Sequence, residues 1–171
     1  MLSREEILKL LKGRPPLVEG VIDPTNQVQP NGIDLTLRDI ASYTTPGTMP
    51  ETNDGRILSG TNPLPFEADG GVTLSPGCYL ITHNEVVNLP NNLMALARPR
   101  SSLLRCGVSV HTAVWDAGYS GRSQSLLVVY NQSGFRLYKN ARVIQMVFFY
   151  LNQAVTEGYK GMFQGENIQH A

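Results

Sequence analysis

From Val72 onward the apolar residues fall in short runs at close spacing, separated by turn residues. This pattern predicts strands over Val72–Leu74, Cys78–His83, Glu85–Leu89, Leu93–Arg98, Val108–Val114, Ser125–Tyr130, Phe135–Leu137 and Arg142–Leu151. The turns between them carry Pro90-Asn-Asn92, Gly118, Gly121, Gln132-Ser-Gly134 and Lys139-Asn140. Many short strands with regular turns predict an all-β fold, a distorted jelly roll or barrel, and not a parallel α/β sheet. Two runs, Leu126–Tyr130 and Val143–Tyr150, are apolar on both faces. Such strands are covered on both sides, by a second sheet or by another subunit.

The first third of the chain reads differently. Ser3 and Glu6 fit a capping box, and Ile7, Leu8, Leu10 and Leu11 supply an apolar face, so a short helix is predicted over 4–12, ending near Gly13. Pro15 and Pro16 forbid its continuation. Residues 17–27 read as extended and irregular. Gln29-Pro-Asn-Gly-Ile-Asp-Leu-Thr-Leu37 then predicts a turn and a strand with Ile33, Leu35 and Leu37 inward and Asp34 on the polar face. Residues 44–70 hold much of the Pro, Gly, Thr and Asn and read as a long loop with one short strand near Ile57 and Leu58. Residues 155–171 form a Gly-rich, polar tail, predicted to be a flexible C-terminal arm.

Composition narrows the function. At 171 residues the chain suits one domain spanning 1–171, with the helix at 1–13 as its N-terminal element. Its formal charge is zero, which argues against a broad nucleic-acid or membrane footprint. No apolar run approaches the roughly 20 residues of a membrane-spanning helix, and the N-terminus lacks signal-peptide order, so a cytoplasmic location is expected. Cys78 and Cys106 are far apart without metal spacing and read as buried small hydrophobes in a reducing compartment.

The candidate chemistry is concentrated in one stretch. Arg98-Pro-Arg-Ser-Ser-Leu-Leu-Arg105 follows a strand and offers Arg100, Ser101, Ser102 and Arg105 to an anion. The alternative is a helix N-cap with a surface arginine. His111-Thr-Ala-Val-Trp-Asp-Ala-Gly-Tyr-Ser-Gly121 reads as a hairpin with Asp116 at its edge, able to orient a water, or merely capping the turn. Its backbone can read the edge of a base, and Tyr119 can lie against a sugar. His111 is a candidate base or a structural residue. Arg142 and Gln145 interrupt the last apolar strand and need partners, from a ligand or a neighbouring carboxylate. Phosphate-loop, dinucleotide-fold, zinc-deaminase and nucleophile-elbow motifs are absent. Nucleotide chemistry here would use carboxylates, water and Mg²⁺ held mainly by the phosphates, with no protein metal ligands.

These segments resemble the trimeric dUTPase/dCTP deaminase superfamily over nearly the full chain, on the archaeal-type dUTPase branch. The segments are Gln29–Leu37, Pro99–Leu103, Val114–Gly121, Ala141-Arg-Val-Ile-Gln-Met146 and the deaminase-like tail Tyr159-Lys-Gly-Met-Phe-Gln-Gly-Glu166, in the family's order. The resemblance implies a jelly-roll (β-clip) subunit in a homotrimer with active sites between subunits. It implies that Asp116 binds the deoxyribose 3′-hydroxyl and holds the attacking water, and that Tyr119 packs on the sugar. Arg100, Ser101, Ser102 and Gln145 would bind phosphates, joined by Arg105. Asp34 and Arg142 would support the interface and phosphate site. His111 would sit where the base is read, and Tyr159, Phe163 and Gln164 on the tail would close over the substrate.

The family's deaminases carry a Glu on the strand after the Gly-x-x-Gly turn. Here every alignment of that strand offers Leu126, Leu127 or Val128. The resemblance therefore favours dUTP hydrolysis to dUMP and pyrophosphate over cytosine deamination or a bifunctional enzyme. A non-catalytic nucleotide-binding module is the remaining alternative.

Overall fold

The computed structural model describes residues 1–168. The N-terminal helix, α1 (Arg4–Leu10), starts as its sequence requires. Ser3 Oγ accepts from the Glu6 amide at 3.4 Å and Glu6 Oε2 accepts from the Ser3 amide at 2.8 Å, a closed capping box. Ile7 and Leu2 are buried against the core. The segment 17–27 is more ordered than its composition indicates. It forms β1 (Val18–Glu19) and a single turn, α2 (Pro24–Gln27), with Asp23 as its cap and Pro24 in its first turn.

A hairpin follows. β2 (Val28–Gln29) pairs with the start of β3 (Gly32–Tyr43) across a Pro30-Asn31 turn. β3 is the longest strand and belongs to two layers. Its first half pairs with β13 (Arg142–Tyr150) and its second half with β6 (Gly77–His83) and β4 (Thr61–Pro63). Register shifts fall between Leu37 and Asp39 on β3 and between Arg142 and Ile144 on β13. Such bulges bend a strand so that it can change sheets. The alternation expected for residues 33–37 therefore fails. All of Gly32 to Leu37 is buried, Asp34 included, because both faces of this half-strand are covered.

The remaining strands are β5 (Gly71–Leu74), β7 (Val86–Asn88), β8 (Leu93–Pro99), β9 (Val108–His111), β10 (Ser120–Gly121), β11 (Gln124–Val129) and β12 (Phe135–Tyr138). The main sheet runs β8-β13-β3-β6-β11-β9, all antiparallel. Its two end strands, β8 and β9, are joined by the short helix α3 (Ser101–Arg105) and touch each other, so the sheet curls toward closure. Two smaller sheets, β1-β7-β10 and β12-β5, complete an all-β distorted barrel. Ile33, Leu35, Leu37, Ile81, Leu127, Ile144, Met146 and Phe148 fill its interior.

One expectation is corrected. The cysteines are free but exposed, Cys78 on the outer face of β6 and Cys106 capping α3. The C-terminal arm is docked over 155–168, while the last three residues of the predicted flexible arm lie outside the described residues. Its polar composition gives it no core of its own, but its backbone finds partners on the neighbouring turn.

Candidate active site

Asp116 is placed by its neighbours. Trp115 is buried and makes an isolated bridge with Ala95 of β8, with mutual backbone bonds of 2.9 and 3.1 Å. Two residues later the chain reverses. The Gly118 amide donates to Leu89 O at 3.1 Å and the Leu89 amide donates to Tyr119 O at 2.8 Å. Gly118 sits at φ +84°, and a Cβ there would come within 2.6 Å of Gly158 Cα. Only glycine allows the arm to approach so closely. The result leaves Asp116 exposed on a rigid turn beside a cavity of about 820 Å³.

That cavity has three walls. The turn supplies Ala113, Val114, Asp116 and Tyr119. The arm supplies Tyr159, Phe163 and Glu166, and the Tyr119 and Tyr159 rings meet edge-on at 5.7 Å. The third wall is Tyr43, Leu58, Ser59 and Thr61, so the long loop is part of the site. Its Arg56 Nη1 reaches Met162 Sδ of the arm at 3.1 Å. Gln124 and Ser123 line the floor. The hydroxyl of Ser123 is buried there without a partner.

Glu166 was not singled out in the sequence, because a lone Glu in a Gly-rich tail gives no periodic signal. Here its Oε1 accepts from the Tyr119 hydroxyl at 2.8 Å. Burial pushes the Glu166 carboxyl above the usual carboxylate range, and burial with the nearby Glu166 pushes the Tyr119 phenol up, so Tyr119 remains a neutral donor. Gln164 does not line the cavity. Its amide accepts from the Ser120 amide and donates to Gly118 O, both at 3.0 Å, which fastens the arm to the turn.

A second polar cluster lies around the start of α3. Asp34, buried on β3, receives Arg100 Nε at 3.1 Å and Arg142 Nη1 at 3.3 Å. Burial raises the Asp34 carboxyl despite the pull of the two arginines. Its Oδ1 is buried and unpartnered. Arg142 and Gln145 are half-buried, and Arg142 also donates to Asn26 O. Ser101, Ser102 and Arg105 are exposed. The cap of α3 is Arg100, with no side-chain capping bond, so the serines are free for a ligand. His111 is exposed on β9, 3.5 Å from the Tyr130 hydroxyl.

The predicted site residues thus fall in two groups. Asp116, Tyr119, Tyr159 and Phe163 share the cavity. Arg100, Ser101, Ser102, Arg105, His111, Gln145, Asp34 and Arg142 do not line it within one chain. Another buried carboxylate, Glu85, accepts from Gln27 Nε2, the Thr36 amide and the Thr36 hydroxyl at 2.6 to 2.9 Å. It locks α2 to β3 beneath the second group, and its burial was not legible in the strand predicted for 85–89.

The class these features define is confirmed by comparison with known proteins. The chain belongs to the dCTP deaminase-like family, whose model matches residues 1–151. It is similar to a Methanosarcina mazei protein named "Probable deoxyuridine 5'-triphosphate nucleotidohydrolase", 50% identical over 98% of both chains. Proteins of the same name from Archaeoglobus fulgidus and Aeropyrum pernix are 45% and 37% identical over 98% and 92% of this chain, and 98% and 99% of theirs. Among solved structures it resembles 2'-deoxycytidine 5'-triphosphate deaminase from Agrobacterium tumefaciens, with a TM-score of 0.65 and 24% identity. That match covers 86% of this chain and 47% of the Agrobacterium chain, and shows a shared fold.

Proposed function

We propose that the protein is a dUTP diphosphatase, hydrolysing dUTP to dUMP and pyrophosphate. One observation carries the choice. Asp116 stands exposed in a cavity with aromatic walls, while the outward positions of β11 beside it are Gln124, Leu126 and Val128. The cavity takes the nucleoside, with Tyr119 against the sugar and the 113–114 backbone at the base. Asp116 orients a water toward the innermost phosphorus. Arg100, Ser101, Ser102 and Gln145 bind the phosphates as charge develops.

This reading requires more than one chain. The phosphate-binding group and the Asp116 cavity are separate within a protomer, and Leu96, Leu104, Val114 and Tyr150 expose apolar surface. A homotrimer whose sites combine the Asp116 half of one subunit with the Arg100 half of the next accounts for both. Among the described residues no three His, Cys, Asp or Glu side chains cluster as metal ligands. Mg²⁺ would arrive on the triphosphate, where it neutralises phosphate charge. No helix among the described residues is long and apolar enough to cross a membrane, and we place the enzyme in the cytoplasm with the nucleotide pool.

Cytosine deamination is the competing reading, since Glu166 brings a second carboxylate to the cavity. The test is to incubate the protein with Mg²⁺ and either dUTP or dCTP and identify the products. Pyrophosphate from dUTP, without ammonia from dCTP, is expected. D116N is expected to retain nucleotide binding and lose about a thousandfold or more in turnover. Near-full turnover in D116N would refute the assignment.

A further inference from the structure

We propose that Glu166 is a positioning residue that latches the C-terminal arm onto the Tyr119 turn of its own chain, so that the nucleoside pocket is walled before substrate arrives. The inference rests on the dUTP-hydrolysis reading for its kinetic part and on geometry alone for the rest.

The arm does not merely lie on the turn. The Gly165 amide donates to Ser120 O at 2.8 Å, and the Arg122 amide donates to Glu166 O at 2.9 Å, so the arm's turn is pinned by its backbone alongside β10. Asn167 Nδ2 donates to Arg122 O at 2.9 Å, and Tyr159 N donates to Ala117 O at 2.8 Å. Two further arm side chains secure this contact beside Asn167. Gln164 faces the backbone of Gly118 and Ser120. Glu166 reaches from the arm to a cavity-lining side chain by a hydrogen bond, 2.8 Å to the Tyr119 hydroxyl. Tyr119 is itself 5% exposed, so the Glu166 bond satisfies a hydroxyl that would otherwise lose water without replacement.

The consequence is mechanical. Glu166 holds one end of the 159–166 segment and Tyr159 N the other, and Phe163 lies between them on the cavity wall. The same bond fixes the Tyr119 ring at the angle that the sugar must meet. A latch that orders the arm in the free enzyme removes ordering entropy from the binding step. Its loss therefore falls mainly on KM, not on the hydrolytic step.

The test compares the full-length wild type with E166A and E166Q. In nucleotide-free protein, hydrogen exchange over residues 159–167 is expected to be about tenfold faster in E166A and near wild type in E166Q, whose amide oxygen still accepts from Tyr119. With dUTP and Mg²⁺, E166A is expected to raise KM about three- to tenfold with kcat changed less than twofold, and E166Q to restore KM. Unchanged arm exchange in E166A would overturn the latch, whatever the kinetics. Loss of kcat in E166Q with a protected arm would overturn it too, by showing that the carboxylate acts chemically. If wild type fails to hydrolyse dUTP, the substrate reading fails, and the exchange comparison still decides the latch.

Discussion

The two polar regions of this molecule are built on opposite plans. Around Asp116 the chain closes its own cavity. A glycine turn, a folded-back arm and a long loop supply three walls, and the arm is tied to the turn within the same chain through Glu166 and Gln164. Around Asp34 the chain leaves its groups open. Ser101, Ser102 and Arg105 face solvent, Arg100 and Arg142 are tied to a single buried carboxylate oxygen, and the other oxygen of that carboxylate has no partner. On the proposed reading the second region is half of a site, and a reaction that must hold a nucleoside and neutralise a triphosphate would bring the two together on adjacent copies.

The largest effect expected from this division comes from mixing inactive chains. D116N disables the cavity half and R100A the phosphate half. If each site draws its halves from different subunits, trimers reassembled from equal amounts of both variants contain intact sites at about one position in four. The mixture should regain about a quarter of wild-type activity, measured by pyrophosphate release. Activity no higher than that of the separate variants would place both halves in one chain.

A smaller effect tests the support under the phosphate group. Asp34 is buried while its arginines are about one-third exposed. D34A leaves both cations without their carboxylate and is expected to cost about 2 to 3 kcal/mol. Thermal unfolding at fixed protein concentration reads this as a fall in Tm of several degrees. An unchanged Tm would show that the ion pairs are screened and incidental.

The third effect concerns pH. His83 is fully buried with Nε2 at 2.9 Å from Ser125 Oγ, and burial draws its pKa down from 6.5 to about 4. The unfolded chain takes up a proton below pH 6.5 that the folded chain refuses until about pH 4, so stability falls as pH drops through that window. The loss is expected to reach about 3 kcal/mol. Glu85 and Glu166, both raised by burial, act with the opposite sign, losing stability as pH rises. The slope specific to His83 is therefore the difference between wild type and H83Q in unfolding free energy across pH 4 to 6.5. Parallel curves would remove His83 from the account.

Much of this was legible in the sequence, and the exceptions have physical causes. The capping box at Ser3 and Glu6, the turn at Pro30-Asn31 and the strand series from Val72 are local signals, and each reappears in the structure. The resemblance of five ordered segments located both polar clusters. Local pattern failed where tertiary pairing decides. β3 alternates in sequence but is covered on both faces because it bends between two layers, which buries Asp34. Strand propensity continued β9 to Val114, yet pairing stops at His111 because Trp115 turns to bridge Ala95. The arm is polar and Gly-rich, so nothing local announced that its backbone would bond to Ser120 and Arg122 or that Glu166 would meet Tyr119. The length of the 44–70 loop marked it as functional or mobile without saying which, and its place as a cavity wall is set by residues distant in sequence.

The central claim is that Asp116 directs water to the innermost phosphorus of a bound nucleoside triphosphate. Turnover of dUTP in ¹⁸O-water, with mass analysis of both products, tests it most directly. The account predicts one ¹⁸O in the phosphate of dUMP and none in pyrophosphate. Label in pyrophosphate, or dUMP without label, would contradict it.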